Sequence, residues 1–320
     1  MKFFGLQAIV FLFLVLMLNS CKNDVKPQES VTANSEVEDT AVLFGQMPPS
    51  KTPVVFAPNV ISKPDRYEFG CTMSKDGDEF YFAVDNKGKT EIYRKNLIDG
   101  KWGAAENILA KDTFSHNDPM LSINEDRLYF ISDRPLEEGG DAKDIDIWYI
   151  ERNGDEWSEP INAGNVINDD LHQYYCSFTQ DGSMYFASKD KSISAPRNAF
   201  DIYKSKFVDG QFTTPEKLPK EINTEGYEAD VFIAPDESYM VFSSMRRDGY
   251  GQGDLYVSFK NKKDNWTQAI SMGETINTNK HELCPYVSKD GKYLFYTSNQ
   301  DIYWVSADIL DDYKTLALDQ

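Results

Sequence analysis

The sequence predicts an all-β fold, a five-bladed β-propeller whose blades each contain four strands. A phrase built on an Asp-Gly-type turn recurs five times, as SKDGDEFYF from Ser74, SINEDRLYF from Ser122, TQDGSMYF from Thr179, APDESYMVF from Ala234 and SKDGKYLFY from Ser288. Each phrase precedes an acidic-aliphatic-aromatic strand start, and these acidic residues lie 47 to 55 positions apart. A repeat of about 50 residues with four strands and no helical period is typical of a propeller blade.

The two ends of the repeat array predict how the ring closes. The fifth unit lacks a fourth strand, because DIYWVSA is followed only by DILDDYKTLALDQ, which suits a short C-terminal helix. The segment TPVVFAPNVIS from Thr52 has the position of a fourth strand, so we expect it to complete the last blade. Closure removes the open sheet edges that promote aggregation. Residues 52–320 are therefore predicted to form a single propeller domain.

The N-terminus has the composition of a secretory signal. One lysine precedes an apolar run from Phe3 to Leu18, and Leu18-Asn19-Ser20-Cys21 resembles a bacterial lipobox. We therefore predict that residues 1–20 are cleaved and that Cys21 carries lipid, palmitate included. The chain is then an outer-membrane lipoprotein facing the periplasm or the cell surface. Residues 21–51 are polar, contain three prolines and predict a flexible tether.

Composition excludes some partners and chemistries. The formal charge is −19, from 52 acidic and 33 basic residues, so the basic footprint of a nucleic-acid-binding protein is missing. The sequence contains no GxSxG, HExxH, P-loop or Rossmann glycine motif. Cys71, Cys176 and Cys284 fall in or near one repeat column without a CxxC pair, and are interpreted as buried fillers. A monomer is expected.

The phrase INTNKHELCPYVSKDGKYLFYTS, followed by DIYWVS, resembles the TolB-like propeller repeat, a WD-related repeat of bacterial envelope proteins. The resemblance extends from about Thr52 to Ser306. Among the proteins with this repeat, the chain looks most like the lipoprotein members from Bacteroidota. It implies a propeller fold and an envelope binding or scaffold role. Similar repeats also cap some hydrolases and lyases, so the resemblance is specific for the fold and weak for function.

Two repeat columns are expected at the mouth of the central channel. The first lies six places before each turn phrase and contains Glu68, His116, Gln173, Glu228 and Glu282; the second, one place earlier, contains Tyr67, Ser115, His172, Tyr227 and His281. Recurrent glutamates either bond the loops of their own blades or, in an enzyme, act as catalytic carboxylates. The three histidines either line the channel or bind a divalent cation, which is the one cofactor considered.

The loops between the second and third strands of blades two, three and four are long and unlike one another. They carry Arg134, Arg197, Arg246, Arg247 and Tyr250. Guanidinium groups bind carboxylates and a tyrosine stacks on a sugar or peptide, so these residues are candidate ligand contacts. Alternatively, the arginines are a repeat feature that pairs with neighbouring acids. Asp141, Asp144 and Asp146 form a weak candidate site for Ca²⁺.

The sequence thus favours a non-catalytic envelope lipoprotein that binds a protein partner or a glycan. The alternative is a carbohydrate-active enzyme, either a glycoside hydrolase or a metal-assisted lyase, with its site at the channel mouth and catalytic candidates Glu68, Glu228 and Glu282. Hydrolysis requires carboxyl groups about 5–5.5 Å or about 6.5–9.5 Å apart. Carboxylates that bond their own backbone would argue against it, and carboxylates that converge on solvent beside His281 would favour it.

Overall fold

A computed structural model describes residues 42–137, 139–189 and 199–318 of the chain. In chain order the strands are β1 (Val54–Val55), β2 (Tyr67–Met73), β3 (Glu79–Asp85), β4 (Thr90–Ile98), β5 (Lys101–Trp102), β6 (Glu106–Asn107), β7 (His116–Leu121), β8 (Arg127–Ser132), β9 (Asp146–Asn153), β10 (Glu156–Trp157), β11 (Ile161–Asn162), β12 (Gln173–Phe178), β13 (Met184–Lys189), β14 (Phe200–Ser205), β15 (Phe207–Val208), β16 (Gln211–Phe212), β17 (Glu216–Lys217), β18 (Glu228–Ile233), β19 (Tyr239–Ser244), β20 (Asp254–Phe259), β21 (Ile270–Ser271), β22 (Leu283–Val287), β23 (Tyr293–Ser298) and β24 (Asp301–Ser306). The helices are α1 (Gly273–Ile276) and α2 (Ile309–Leu318). In these ranges no helix is both long and apolar enough to cross a membrane.

The strands form five antiparallel blades, which confirms the predicted propeller. From the inside outwards the blades are β2-β3-β4-β6, β7-β8-β9-β11, β12-β13-β14-β17, β18-β19-β20-β21 and β22-β23-β24-β1. The fourth strand is only two residues long in every blade. The inner strands β2, β7, β12, β18 and β22 contact one another in that order around the axis, and β22 also contacts β2. Equivalent positions of the five repeats therefore gather at one hub.

The ring closes as the sequence predicts. Strand β1 pairs antiparallel with β24, with Val54 opposite Trp304 and Val55 opposite Tyr303. The next residue, Phe56, donates its backbone N–H to Ile302 at 2.8 Å, and its side chain is fully buried. The N-terminal strand thus supplies the fourth strand of the last blade. The C-terminal segment forms helix α2, as expected.

Residues 42–51, which the sequence assigns to the tether, pack against the propeller. Leu43 is buried, and Phe44 stacks on Trp102 with ring centroids 4.0 Å apart. The Gln46 side chain donates to the Val55 carbonyl at 2.9 Å and accepts from the Ala57 N–H at 2.7 Å. The packed chain therefore begins before residue 52. The signal segment, Cys21 and the earlier part of the tether lie outside the described residues.

Every inner strand contains a β-bulge at the same repeat position. The register shifts between Phe69 and Cys71 in the first blade and at the equivalent point in the other four. At these bulges φ is positive in all five blades: Gly70 (50°), Asp118 (54°), Tyr175 (38°), Asp230 (51°) and Cys284 (51°). A bulge redirects the side chain that it carries. Here it directs the side chains of Asp118, Asp230 and Cys284 towards the hub.

Candidate functional site

A cavity of about 260 Å³ lies at the hub, on the face where the inner strands begin. Its outer wall includes Tyr67, Tyr174, Tyr227 and His281, which are partly buried, and its floor is formed by Asp118, Asp230 and Cys284, which are buried. We call this space the hub cavity and these three residues its floor. The residues come from all five blades, so the cavity exists only because the ring is closed.

The outer wall presents aromatic rings and an imidazole. Tyr174 stacks on Phe200 with centroids 4.7 Å apart, and Tyr227 meets His281 edge to face at 6.5 Å. Burial, with neighbouring acids adding to it, raises the pKa of Tyr67 and Tyr227 above its usual range, so both are neutral phenols. Burial also lowers the pKa of His281, although Glu282 opposes that shift. The wall therefore offers uncharged, amphipathic contacts.

The floor combines two carboxyl groups and a thiol. The Cys284 thiol donates to Oδ1 of Asp118 at 3.3 Å, and the backbone N–H of Cys284 bonds the Asp230 carboxyl. Burial raises the pKa of Asp118 to about 6, and burial together with the charge of Asp118 raises that of Asp230 to about 8. The pKa of the thiol is also raised, first by burial and then by both acids. Two negative charges in one buried site disfavour each other.

The first predicted column does not line the channel, and this prediction is wrong. Its side chains are at most 1% exposed and lie within their own blades: Glu68, His116, Gln173, Glu228 and Glu282. Glu228 accepts bonds from the N–H and hydroxyl of Thr224 at 2.9 and 2.7 Å, and Glu282 accepts the same pair from Thr278 at 3.0 and 2.7 Å. Because side chains alternate along a strand, the neighbouring positions face the hub instead.

In blades one, four and five, the recurrent glutamates therefore hydrogen-bond the loop that precedes the inner strand. In the first blade Glu68 has the same role, because it pairs with Arg66 and accepts the Lys63 N–H at 3.3 Å. None of these carboxylates reaches open solvent, so they are not arranged as the acid and base of a glycosidase. The catalytic assignment considered for Glu68, Glu228 and Glu282 is corrected to a structural one.

The three histidines do not meet. Nε2 of His116 lies 3.2 Å from an oxygen of Asp112 within its own blade, and Nδ1 of His172 accepts the Ile145 N–H at 3.1 Å. His281 alone of the three lines the hub cavity. The histidines are therefore not placed to share a cation, which was the alternative to channel lining. Within the described residues, the group of potential ligands close enough to share an ion is the floor itself.

Two of the candidate arginines are engaged inside their blades. The guanidinium of Arg134 lies 4.8 Å from the Trp148 ring centroid, and its Nη1 is 2.5 Å from an Asp112 oxygen. That of Arg246 lies 4.6 Å from the ring centroid of Tyr256. These arginines are a structural feature of the repeat, because cation–π contacts and a carboxylate already satisfy them.

The remaining loop candidates have different outcomes. Arg247 and Tyr250 are exposed on the loop that leads to β20, whereas Arg197 lies outside the described residues. That loop adjoins the cavity, because Gly253 forms a β-bridge with His281. Asp144 and Asp146 flank the ammonium of Lys143 at 3.2 and 2.8 Å, so a cationic side chain occupies the position considered for Ca²⁺. Asp141 is exposed.

The residues that sequence reasoning missed are the three of the floor, together with Tyr174 and Asn117 in the wall. A signal existed two places after the first column, where the five repeats carry Gly, Asp, Tyr, Asp and Cys instead of a shared residue type. Positions that differ between repeats were the better indicator of a site.

Comparisons with known proteins support the fold. No protein-family model matches the sequence, and no curated protein matches it. Among solved structures, a thermostable family-43 glycoside hydrolase has a TM-score of 0.50 at 14% identity, over 77% of this chain and 91% of its own. The GH62 alpha-L-arabinofuranosidase domain of Coprinopsis cinerea has 0.49 at 9%, over 81% and 97%. TolB from Acinetobacter baumannii has 0.44 at 14%, over 75% and 54%. At these identities the likeness concerns the fold alone.

Proposed function

We propose that the chain is a non-catalytic binding module of the cell envelope, in which the hub cavity receives part of a protein partner or of a glycan. The observation that best supports this function is a solvent-open cavity whose wall is formed by tyrosines and an imidazole from different blades. Its volume of about 260 Å³ is small for a whole cofactor, since ligand sites usually span about 300–1,000 Å³. It suits one inserted side chain or sugar ring of a larger ligand.

The surroundings of the cavity support contact with such a larger ligand. Tyr250 is 51% exposed and Met245 is 39% exposed on the loop beside His281, and Arg247 is exposed between them. A tyrosine and an arginine next to a cavity are typical of binding surfaces. The wider placement, with lipid on Cys21 and the propeller at the outer membrane, rests on the sequence and forms part of the proposal.

The enzyme alternative depends on carboxylates that are not accessible to a substrate. The glutamates assigned to it are buried and bonded to their own loops. The two acids that do reach the hub, Asp118 and Asp230, have oxygens within 4.8 Å of each other. Both are buried at the floor of the cavity rather than placed on opposite sides of an open groove that could hold a glycosidic bond between them.

A capture experiment tests the proposal. The purified chain is presented to envelope glycans and to envelope protein extract, with Tyr67→Ala as the cavity variant and Val208→Ala as the control. Val208 is exposed on the β15–β16 hairpin, whose Phe207 packs against the turn at Gly182, at the opposite end of the inner strands. We expect the cavity variant to lose a specifically captured ligand and the control to retain it. Equal capture by all three proteins, or turnover of a polysaccharide, would overturn the proposal.

A further inference from the structure

The floor of the hub cavity has a property that ligand binding by the aromatic wall does not explain. One oxygen each of Asp118 and Asp230 and the Cys284 sulfur lie within 4.8 Å of one another. They come from blades two, four and five, on strands β7, β18 and β22. All three residues are more than nine-tenths buried, and all three line the cavity.

The two floor carboxyls lack the partners that other buried acids in the described chain have. Elsewhere a buried acid meets a cation or several donors, as when Asp254 accepts the N–H groups of Tyr250 and Gly251. Asp118 accepts only a thiol, at Oδ1, and Asp230 only one backbone N–H. Within the described residues no lysine, arginine or histidine forms an ion pair with either, and Oδ2 of Asp118 has no donor. Burying a carboxylate in this way is costly unless the group is protonated or a cation balances its charge.

We propose that Asp118, Asp230 and Cys284 bind a divalent cation of the Zn²⁺ type at the hub. The donor set selects the ion, because thiolate sulfur together with carboxylate oxygen suits Zn²⁺, whereas Ca²⁺ and Mg²⁺ take oxygen ligands. Zn–O and Zn–S bonds of about 2.0–2.3 Å place tetrahedral donors about 3.3–3.8 Å apart. The Cys284 sulfur already lies 3.3 Å from Oδ1 of Asp118 and all three donors lie within 4.8 Å of one another, so small side-chain rotations bring them to that spacing.

The surrounding fold suits such an ion. The donors lie on the inner strands of three blades. Backbone hydrogen bonds to the next strand of the blade hold each of these inner strands in place. The cavity connects the floor to solvent, so an ion has a path to the site. Three protein donors leave one position of a tetrahedral ion towards the cavity, where water or a ligand group completes the coordination. Binding converts the Cys284 thiol to thiolate and the floor carboxyls to carboxylates, and the protons that these groups held are released to water.

Cobalt provides a direct readout of this site. The full chain is purified with a chelator, freed of it, and titrated with Co²⁺, whose bond to a thiolate gives charge-transfer absorption in the near ultraviolet. We expect one equivalent to bind and Zn²⁺ to displace it. Cys284→Ser should abolish the absorption, and Asp230→Asn should weaken Zn²⁺ binding by about tenfold or more, measured by calorimetry.

The matched controls are other thiols of the same chain. Cys71 is equally buried, one repeat position away from the floor, and Cys71→Ser should leave the cobalt spectrum unchanged. Cys176→Ser removes another free, buried thiol and should also have no effect.

The inference is overturned if the wild-type chain binds neither Co²⁺ nor Zn²⁺, or if Cys284→Ser gives the wild-type spectrum. Should Cys284→Ser fail to fold, the nearly isosteric Asp230→Asn decides the question. Zn²⁺ should then raise the melting temperature of the wild-type chain and not that of the variant, and an equal rise in both would refute the site. Because these readouts need no partner or glycan, they are independent of the function proposed above.

Discussion

Phe56 provides a quantitative test of ring closure. It follows the strand that completes the last blade, and its side chain is fully buried. Its ring lies 5.1 Å, centroid to centroid, from each of Phe80, Phe295 and Trp304, and 5.5 Å from Phe44. Removing a buried phenylalanine costs about 3–5 kcal/mol of unfolding free energy, and loss of four aromatic contacts places Phe56→Ala in the upper part of that range. The expected fall in melting temperature is roughly 5–9 °C, because a domain of this size has a large entropy of unfolding.

The measurement is denaturant unfolding followed by tryptophan fluorescence, with calorimetry for the melting temperature. Val54→Ala is the matched control, because Val54 lies on the same strand with 39% of its surface exposed. Its cost should stay below about 1 kcal/mol. If Phe56→Ala were as mild as the control, the N-terminal strand would not seal the last blade, and the argument that equivalent positions meet at one hub would fail.

Three further predictions concern residues whose roles the structure reassigns. Arg246→Ala should cost about 1–3 kcal/mol in denaturant unfolding, because it removes a cation–π contact and leaves a buried carbonyl unpaired, whereas Arg247→Ala should stay within about 0.5 kcal/mol; the reverse order would contradict the assignment. Glu282→Ala should cost at least about 2 kcal/mol by the same assay while leaving ligand capture intact below the melting temperature, and lost capture in a folded variant would point to a role at the site. Burial alone would raise the pKa of Asp112, but the His116 hydrogen bond and other partners outweigh burial and lower the pKa to about 2. The Asp112 carboxylate therefore stabilises the folded chain above the unfolded pKa of 3.8, and this contribution is lost as the pH falls towards 2. Asp112→Asn should therefore cost about 2 kcal/mol at pH 7, with the difference from wild type vanishing between about pH 5 and pH 2; a constant difference would refute this.

The site could be predicted from the sequence only in part. Tyr67, Tyr227 and His281 were expected at the channel mouth, and they line the cavity. Glu228 was expected beside them, but it is buried within its blade because adjacent positions of a strand point to opposite sides. Asp230, two places further on, would face the same side as Glu228 in a regular strand, but the β-bulge turns it to the floor. Deciding between these neighbours requires knowing which side of each inner strand faces the axis.

The sequence by itself determined the blade count, the strand order and the closing strand, because period, turn residues and strand patterns are local properties repeated along the chain. Only the tertiary structure decided which side chains share the hub. A β-bulge with positive φ reorients one residue per inner strand, and no residue type marks it, since Gly70, Tyr175 and Cys284 all occupy it. Asp118 and Asp230 meet Cys284 because closure of the ring brings three distant blades to one axis, and that proximity is a property of the assembled ring rather than of any segment.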